Sequence, residues 1–421
     1  MGAWQTPRLP TGGFRRPRTM IASASTSLEQ LPLAPLGAPD ETEVSVVMPC
    51  LNEHRTIGTC VRKATQALER LGIHGEVVVA DNGSTDGSQD IAESLGARVV
   101  DVKTRGYGSA LQAGIAAARG KLIVMGDSDD SYDFGQIGEF VNKLNEGHDL
   151  VIGNRFAGGI RPGAMPALHR YLGNPALTWL ARLFFGCPAG DSQCGLRAFR
   201  KQAIQKLELQ MLGMEFASEM IVKATLFHLR IADLPTVLSQ DGRDRRPHLR
   251  TWSDGWRHLR FLLVYSPRWL FLYPGIALLL FGAAASAWLL PGPRVVGHVV
   301  FDVDTLLFGA MSMLVGFQSL NFAVFSKVFA MMERLVPADP KFSRAFRYIT
   351  LETGLLTGAL LMLVGVGLWV FGLSYWNSHH FGPLDPSKML RIVIPGFLSL
   401  TLGIQIILSS FFLSVLGIAR R

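Results

Sequence analysis

The octapeptide Gly126-Asp127-Ser128-Asp129-Asp130-Ser131-Tyr132-Asp133 gathers four carboxylates directly behind the apolar run Leu122-Ile123-Val124-Met125. A β-rich run that ends in Gly and then carboxylates reads as a buried strand delivering Asp127 and Asp129 to its C-terminal end, where open α/β sheets bind ligands. Side chains two apart on an extended segment point the same way, so both carboxylates can face one divalent metal while Ser128 turns aside. An acidic turn capping the next helix would use the same residues. A second polar loop, Asp81-Asn82-Gly83-Ser84-Thr85-Asp86-Gly87, offers a carboxylate and an Asn amide suited to the imide edge of a base and the diol of a ribose. Its other reading is an Asx-rich turn capping a helix at Ser84 or Asp86. Gly106-x-Gly108 lacks the third glycine and the following acidic residue of a dinucleotide fingerprint, which argues against redox chemistry.

The elements that must hold these loops follow from periodicity. Val44-Ser45-Val46-Val47-Met48-Pro49 is β-rich, and a helix follows with Ile57, Val61, Ala64 and Leu68 on one face. Glu76-Val77-Val78-Val79-Ala80 and Ala97-Arg98-Val99-Val100 predict two further strands, each followed by a helix. Strand and helix alternate at βαβ spacing, which predicts an α/β domain with a mostly parallel, doubly wound sheet. The loops at the strand C-termini carry nearly all the Asp, Asn and Gly.

Hydrophobic residues make up 48% of the 421 residues, and the excess lies after residue 268. Stretches 269–293, 305–326, 353–378 and 392–419 are uncharged and long enough for helices to cross a hydrocarbon core of about 30 Å. Lys and Arg crowd the segment before the first span (Arg243, Arg245, Arg246, Arg250, Arg257, Arg260, Arg268), the connection between the second and third spans (Lys327, Arg334, Lys341, Arg344, Arg347) and the tail Arg420-Arg421. The other connections hold few. This asymmetry predicts a multi-pass plasma-membrane protein with both termini and the α/β domain cytoplasmic. The net charge of +8 is then directed at membrane lipids and not at nucleic acid, because the Arg cluster lies beside Trp252, Trp256 and Trp269. Cys50, Cys60, Cys187 and Cys194 form no metal or disulfide pattern. Residues 1–40, rich in Pro, Arg, Ser and Gly, read as a disordered arm. Between Arg161 and Phe185, cations alternate with Leu168, Leu172, Trp179, Leu180, Leu183 and Phe184, as in a helix lying in the membrane interface; core packing of that face is the alternative.

Taken together, Val46-Val47-Met48-Pro49-Cys50-Leu51-Asn52-Glu53, Asp81-Asn82-Gly83-Ser84-Thr85-Asp86, Arg105-Gly106-x-Gly108-x-Ala110 and Asp127-x-Asp129 resemble the family 2 inverting glycosyltransferases of GT-A fold. Gly153-Asn154-Arg155-Phe156-Ala157-Gly158-Gly159 and Asp191-Ser192-Gln193-Cys194-Gly195-Leu196-Arg197-Ala198-Phe199 resemble the polyprenyl-phosphate branch, which includes dolichyl-phosphate mannose and glucose synthases. The resemblance covers residues 44 to about 260. It implies a GT-A domain over 41–245, and the apolar stretches add a juxtamembrane amphipathic helix over 246–268 and a transmembrane domain over 269–421. It further implies that Pro49, Asn52, Glu53, Asp81, Gly83, Ser84, Asp86, Lys103, Gly106 and Arg243 serve the nucleotide-sugar donor, and that Asp127 and Asp129 hold Mg2+ or Mn2+ as catalytic metal ligands. Arg155, with Asp191 and Arg197, is implied to serve the phosphate of a polyprenyl acceptor.

The expected reaction is transfer of one hexose from UDP-glucose or GDP-mannose to polyprenyl phosphate with inversion. A phosphate monoester is already anionic at neutral pH, so no general base is required. A processive polysaccharide synthase of the same fold is the alternative, but its Gln-x-x-Arg-Trp motif is replaced here by Tyr265-Ser266-Pro267-Arg268-Trp269. A non-catalytic nucleotide-sugar-binding scaffold is a second alternative. The spans also leave room for a homo-oligomer.

Overall fold

The computed structural model describes residues 42–243, 251–337, 339–345 and 350–417. The arm 1–40 and the arginines at 245, 246 and 250 lie outside the described residues.

Seven strands form one sheet in the order β3-β2-β1-β4-β6-β5-β7. They are β1 (Val44–Cys50), β2 (Gly75–Asp81), β3 (Arg98–Asp101), β4 (Leu122–Met125), β5 (Leu150–Asn154), β6 (Arg197–Arg200) and β7 (Ile231–Pro235). Because helices cover both faces, the central strands are largely apolar: Val46, Val47, Met48, Val78, Val79, Ile123 and Val124 are all fully buried. Helix α1 (Ile57–Leu71) turns Ile57, Val61, Ala64 and Leu68 onto the sheet, and ends at Gly72 in the left-handed region. Helices α2 (Ser88–Ser94), α3 (Tyr107–Ala117) and α4 (Ile137–Asn145) supply the remaining crossovers of the first half.

All strands are parallel except β6, which pairs antiparallel with both β4 and β5. The alternating pattern read from sequence gave no sign of this reversal. Its cause is local: the chain reaches β6 from the 187–196 loop, already at the edge where β4 and β5 end, so the strand must run back. The order β2-β1-β4 makes the gap between β1 and β4 a topological switch point, and the acidic octapeptide follows β4 at that gap.

Four helices among the described residues are long and apolar enough to cross a membrane: Arg268–Leu289, Val303–Met332, Leu351–Ser378 and Pro386–Leu416. The second and fourth exceed the uncharged windows of the sequence, since Lys and Arg are good helix formers and their long stems can cover apolar surface. Arg391, inside the fourth, pairs with Asp302 at the start of the second and also bonds Ser387 and the Leu289 carbonyl. A small exposed hairpin, Arg294–Val296 with Val299–Phe301, joins spans one and two. Spans one and two pack as one antiparallel pair, spans three and four as another. Glycines mark both contacts. A Cβ on Gly275 would stand 2.9 Å from the Gly316 carbonyl oxygen and one on Gly282 2.3 Å from that of Gly309. In the second pair the distances are 2.7 Å from Gly358 to Gly403 and 2.8 Å from Gly365 to Gly396. Close backbone approach of this kind is how helices associate in lipid, where apolar side chains gain little by leaving the solvent.

Candidate active site

Asp127 leaves β4 with one oxygen bonded to a side chain and the other facing a glycine. Its Oδ1 accepts from the Tyr107 hydroxyl at 2.9 Å. Its Oδ2 faces Gly195, where a Cβ would stand only 2.5 Å away, so the absent side chain leaves a cradle in front of the carboxylate. Burial and the neighbouring Asp129 push the Asp127 carboxyl up to about 6, against the opposing effects of Tyr107, Arg243 and Arg155. Ser128 turns aside, as alternation requires, and donates to the Pro49 carbonyl at 2.6 Å, tying the acidic loop to the end of β1.

Asp129 Oδ1 accepts from Ser131 N and Oγ. Its Oδ2 lies 3.1 Å from Arg243 Nη2, while Arg243 Nε donates to both oxygens of Glu53 at 2.9 and 3.1 Å. Arg243 arrives because the chain after β7 runs alongside the acidic loop, with Ser239 N bonded to Ser131 O and Gly242 N to Asp129 O. Its guanidinium stays charged despite burial because Asp129 and Glu53 flank it. Among the described residues no group of three or more His, Cys, Asp or Glu side chains gathers as a metal cluster. The protein thus offers two carboxylates, Asp127 with Oδ2 against the Gly195 backbone and Asp129 beside Arg243. That set fits a hard divalent cation that draws its remaining oxygen ligands from a phosphate and water.

The second loop closes off one reading and keeps the other. Asp81 Oδ2 accepts from Gly83 N, Ser84 N and Gln89 Nε2, whereas its Oδ1 is buried with no hydrogen-bond partner among the described residues. Burial raises the Asp81 carboxyl, but bonds from Ser84, Gln89 and Gly83 outweigh it and hold the group below the usual range. An ionised, buried, unpaired oxygen is an acceptor built for a donor from outside. Asp86 behaves differently. Its oxygens are taken by Ser88 N and Oγ and by His54 N and Nδ1, so it caps α2 and clamps the loop after β1. Asn52 also knits loops together, its Oδ1 accepting from Thr85 N while its own N–H donates to Ser84 Oγ. Lys103 is exposed beside this face. Gly106 is held by Asn82 Oδ1 at 2.7 Å.

On the far side, Asn154 caps a turn that begins at Arg155. Arg155 is 7% exposed and grips Asp191 side-on, Nε to Oδ2 at 2.6 Å and Nη2 to Oδ1 at 2.9 Å. Burial opposes its charge, but the bidentate pairing with Asp191 holds the guanidinium protonated. Arg197 lies elsewhere than the acceptor reading placed it. It is fully buried and donates to the carbonyls of Cys194, Ala217 and Ser192, which makes it the internal brace of the 191–197 loop. Beyond the pair, the helix Asn174–Phe185 leaves Trp179 60% exposed, with Tyr171 and Leu172 also exposed just before it. Phe184 stacks on Trp269 at the start of the first span with ring centroids 5.4 Å apart. A second helix, Thr251–Val264, presents Trp252, 82% exposed, and Trp256.

Residues 45–208 match the model of glycosyl transferase family 2, and residues 324–417 match that of the glycosyltransferase family 2 C-terminal transmembrane region. The chain is 36% identical over 375 residues to the low-salt glycan biosynthesis hexosyltransferase of Haloferax volcanii, covering 89% of each protein. The chain belongs to glycosyltransferase family 2. It is a membrane protein, with a GT-A domain followed by apolar spanning helices. A dolichyl-phosphate hexose transferase of the same organism is 30% identical over 194 residues, which is 46% of this chain and 81% of that one. Among solved structures, glucosyl-3-phosphoglycerate synthase from Mycobacterium tuberculosis in complex with phosphoglyceric acid is similar over 53% of this chain and 79% of its own (26% identity, TM-score 0.43). The same enzyme with Mn2+, uridine diphosphate and glucosyl-3-phosphoglycerate gives 24% identity and a TM-score of 0.41.

Three residues of this family 2 glycosyltransferase escaped the reading by motif. Tyr107 and Gly195 frame Asp127, as described. Glu219, fully buried, accepts from the backbone of Gln210 and Met211 and pairs with Lys223 at 2.9 Å, thereby shaping the turn that packs on α3. A tyrosine between two glycines at the head of a helix, close in sequence to the acidic strand, was the one signal available.

Proposed function

We propose that the protein transfers one hexose from a nucleotide sugar, UDP-glucose or GDP-mannose, to a polyprenyl phosphate with inversion, yielding a lipid-phosphate hexose for glycan assembly. The observation that carries this reading is the pairing, across one loop, of a carboxylate that only a glycine can face with a buried arginine: Gly195 lies against Asp127 Oδ2, and Asp191, four residues earlier in that loop, holds Arg155. The relatives named as a hexosyltransferase and a dolichyl-phosphate hexose transferase support the same class of reaction.

Asp127 and Asp129 would hold Mg2+ or Mn2+, which when bound would supply positive charge to a departing nucleoside diphosphate. Asp81 Oδ1 receives the imide N–H of the base, and the loop at Gly83 and Ser84 lies beside the ribose. Arg243 moves its charge from Glu53 and Asp129 toward the diphosphate as the donor arrives. Asp191 fixes Arg155 so that its remaining N–H groups meet the acceptor phosphate, which is anionic and attacks without a base. Orientation and charge supply most of the acceleration. The exposed aromatics Tyr171, Trp179, Trp252 and Trp256, with Leu172, seat the domain on the bilayer, so the acceptor head reaches the cleft from the lipid side. The GT-A domain and both termini face the cytoplasm of a plasma-membrane protein.

The test is transfer by purified full-length protein. Radiolabelled UDP-glucose and GDP-mannose are each incubated with polyprenyl phosphate and Mn2+ or Mg2+, and the label is followed into the organic phase. Label that stays aqueous with both donors would refute the reading, and polymer growth would convert it into the processive one.

A further inference from the structure

The head of α3 is wedged between two loops. A Cβ on Gly106 would lie 2.2 Å from the Leu212 carbonyl oxygen and one on Gly108 2.3 Å from that of Met211, so both positions admit only glycine. Gly106 N donates to Asn82 Oδ1 in the nucleotide-side loop, and Ser109 N donates to Leu212 O at 3.1 Å. The 210–212 turn is itself fixed from behind by Glu219, which accepts from Gln210 N and Met211 N. Tyr107 therefore stands on a clamped backbone, and its hydroxyl donates to Asp127 Oδ1 at 2.9 Å. Opposite it, Oδ2 faces the backbone of Gly195, where a Cβ would stand 2.5 Å from it.

We propose that Tyr107 is a positioning residue for the reaction, orienting the Asp127 carboxylate so that one oxygen is presented to the divalent cation. The inference rests on the metal reading given under Proposed function. It assigns to the Gly106-Tyr107-Gly108 segment a role in metal capture in place of phosphate binding. The glycines exist so that the backbone can pass under the 211–213 turn, and the residue between them carries the chemistry. A ring that merely filled space would need no hydroxyl.

The experiment compares full-length wild type with Tyr107→Phe, which keeps the ring. Mn2+ binding is followed by electron paramagnetic resonance in the presence of UDP, and UDP binding without metal is measured alongside as a control on the folded nucleotide loop. Wild type binds Mn2+, and the variant should bind it about tenfold more weakly, the size of one charge-assisted hydrogen bond. Metal-free UDP affinity and the melting temperature should stay the same. Equal Mn2+ affinity in the two proteins overturns the proposal. A variant that loses UDP binding and cooperative melting as well makes Tyr107 a structural residue and overturns it too. If wild type itself takes up no Mn2+, the metal reading falls and this one with it.

Discussion

Arg155 lends Nε and Nη2 to the two oxygens of Asp191, so the side-on edge of its guanidinium is occupied before any acceptor arrives. The sequence reading assigned both residues to the acceptor; the geometry makes one the holder of the other. A buried pair of this kind is costly to break, because the survivor keeps an uncompensated charge.

Asp191→Asn should therefore raise the acceptor KM by about tenfold while leaving the donor KM unchanged, and should lower the melting temperature through a loss of ~3 kcal/mol or more. Arg155→Lys keeps the charge but cannot span both Asp191 oxygens. Its acceptor KM should rise, or turnover fall, by about one to two orders of magnitude. Steady-state kinetics for both substrates with thermal melts on the same samples check this, and a selective loss of donor affinity in either variant would refute it.

The carboxylate pair gives a second prediction. Asp129→Asn should abolish transfer in a folded protein, and EDTA should do the same to wild type. Gly195→Ala places a methyl in the cradle before Asp127 Oδ2 and should weaken Mn2+ binding more than it weakens binding of metal-free UDP. Near-normal activity of Asp129→Asn in EDTA would end the metal assignment.

The raised Asp127 carboxyl gives a pH dependence whose sign is fixed. Its folded value, about 6, lies above the ordinary 3.8, so ionising it disfavours the metal-free fold. That penalty is absent below the ordinary value, grows as pH rises through about 6 and is full above it. A cation needs the ionised form. Apparent Mn2+ affinity should then fall by about tenfold per pH unit below 6, and Mn2+ should raise the melting temperature at pH 7.5 far more than at pH 5. Calorimetric titrations and melts at both pH values measure this; flat Mn2+ affinity from pH 7.5 to 5 would contradict it.

Topology is open to labelling. Single cysteines near His298 and His380 should react with an impermeant maleimide on intact cells, and one near Lys341 should not. Outside labelling at Lys341 would invert the orientation and separate the cleft from a cytoplasmic donor.

Much of this protein is legible in its chain because β1, β2 and β4 are Val-, Ile- and Met-rich runs with polar loops at one end. The acidic pair after β4 stands where such a pattern puts it. Direction was harder: nothing in Arg197–Arg200 itself announces an antiparallel strand, since that depends on which edge the preceding loop has reached. Roles within the loops were harder still. Asp81 and Asp86 look alike in sequence, yet hydrogen bonds leave an oxygen open only on Asp81. Arg197 looks like a phosphate ligand until its three carbonyl partners are seen. Tyr107 and Gly195 meet at Asp127 from separate loops, and no local spacing encodes that.

The glycines that zip each pair of spans recur from one pair to the other. Gly309, Ser312, Gly316, Gln318 and Phe325 of the second span recur at one constant offset as Gly396, Ser399, Gly403, Gln405 and Phe412 of the fourth. Gly275 and Gly282 of the first likewise recur as Gly358 and Gly365 of the third. The matched phenylalanines, Phe325 and Phe412, meet edge to face with centroids 4.7 Å apart. The anchor is two hairpins with like spacing of small residues, touching through their second helices. The GT-A domain stacks on the first of them, Phe184 on Trp269, so the catalytic half rests on one side of a doubled mount.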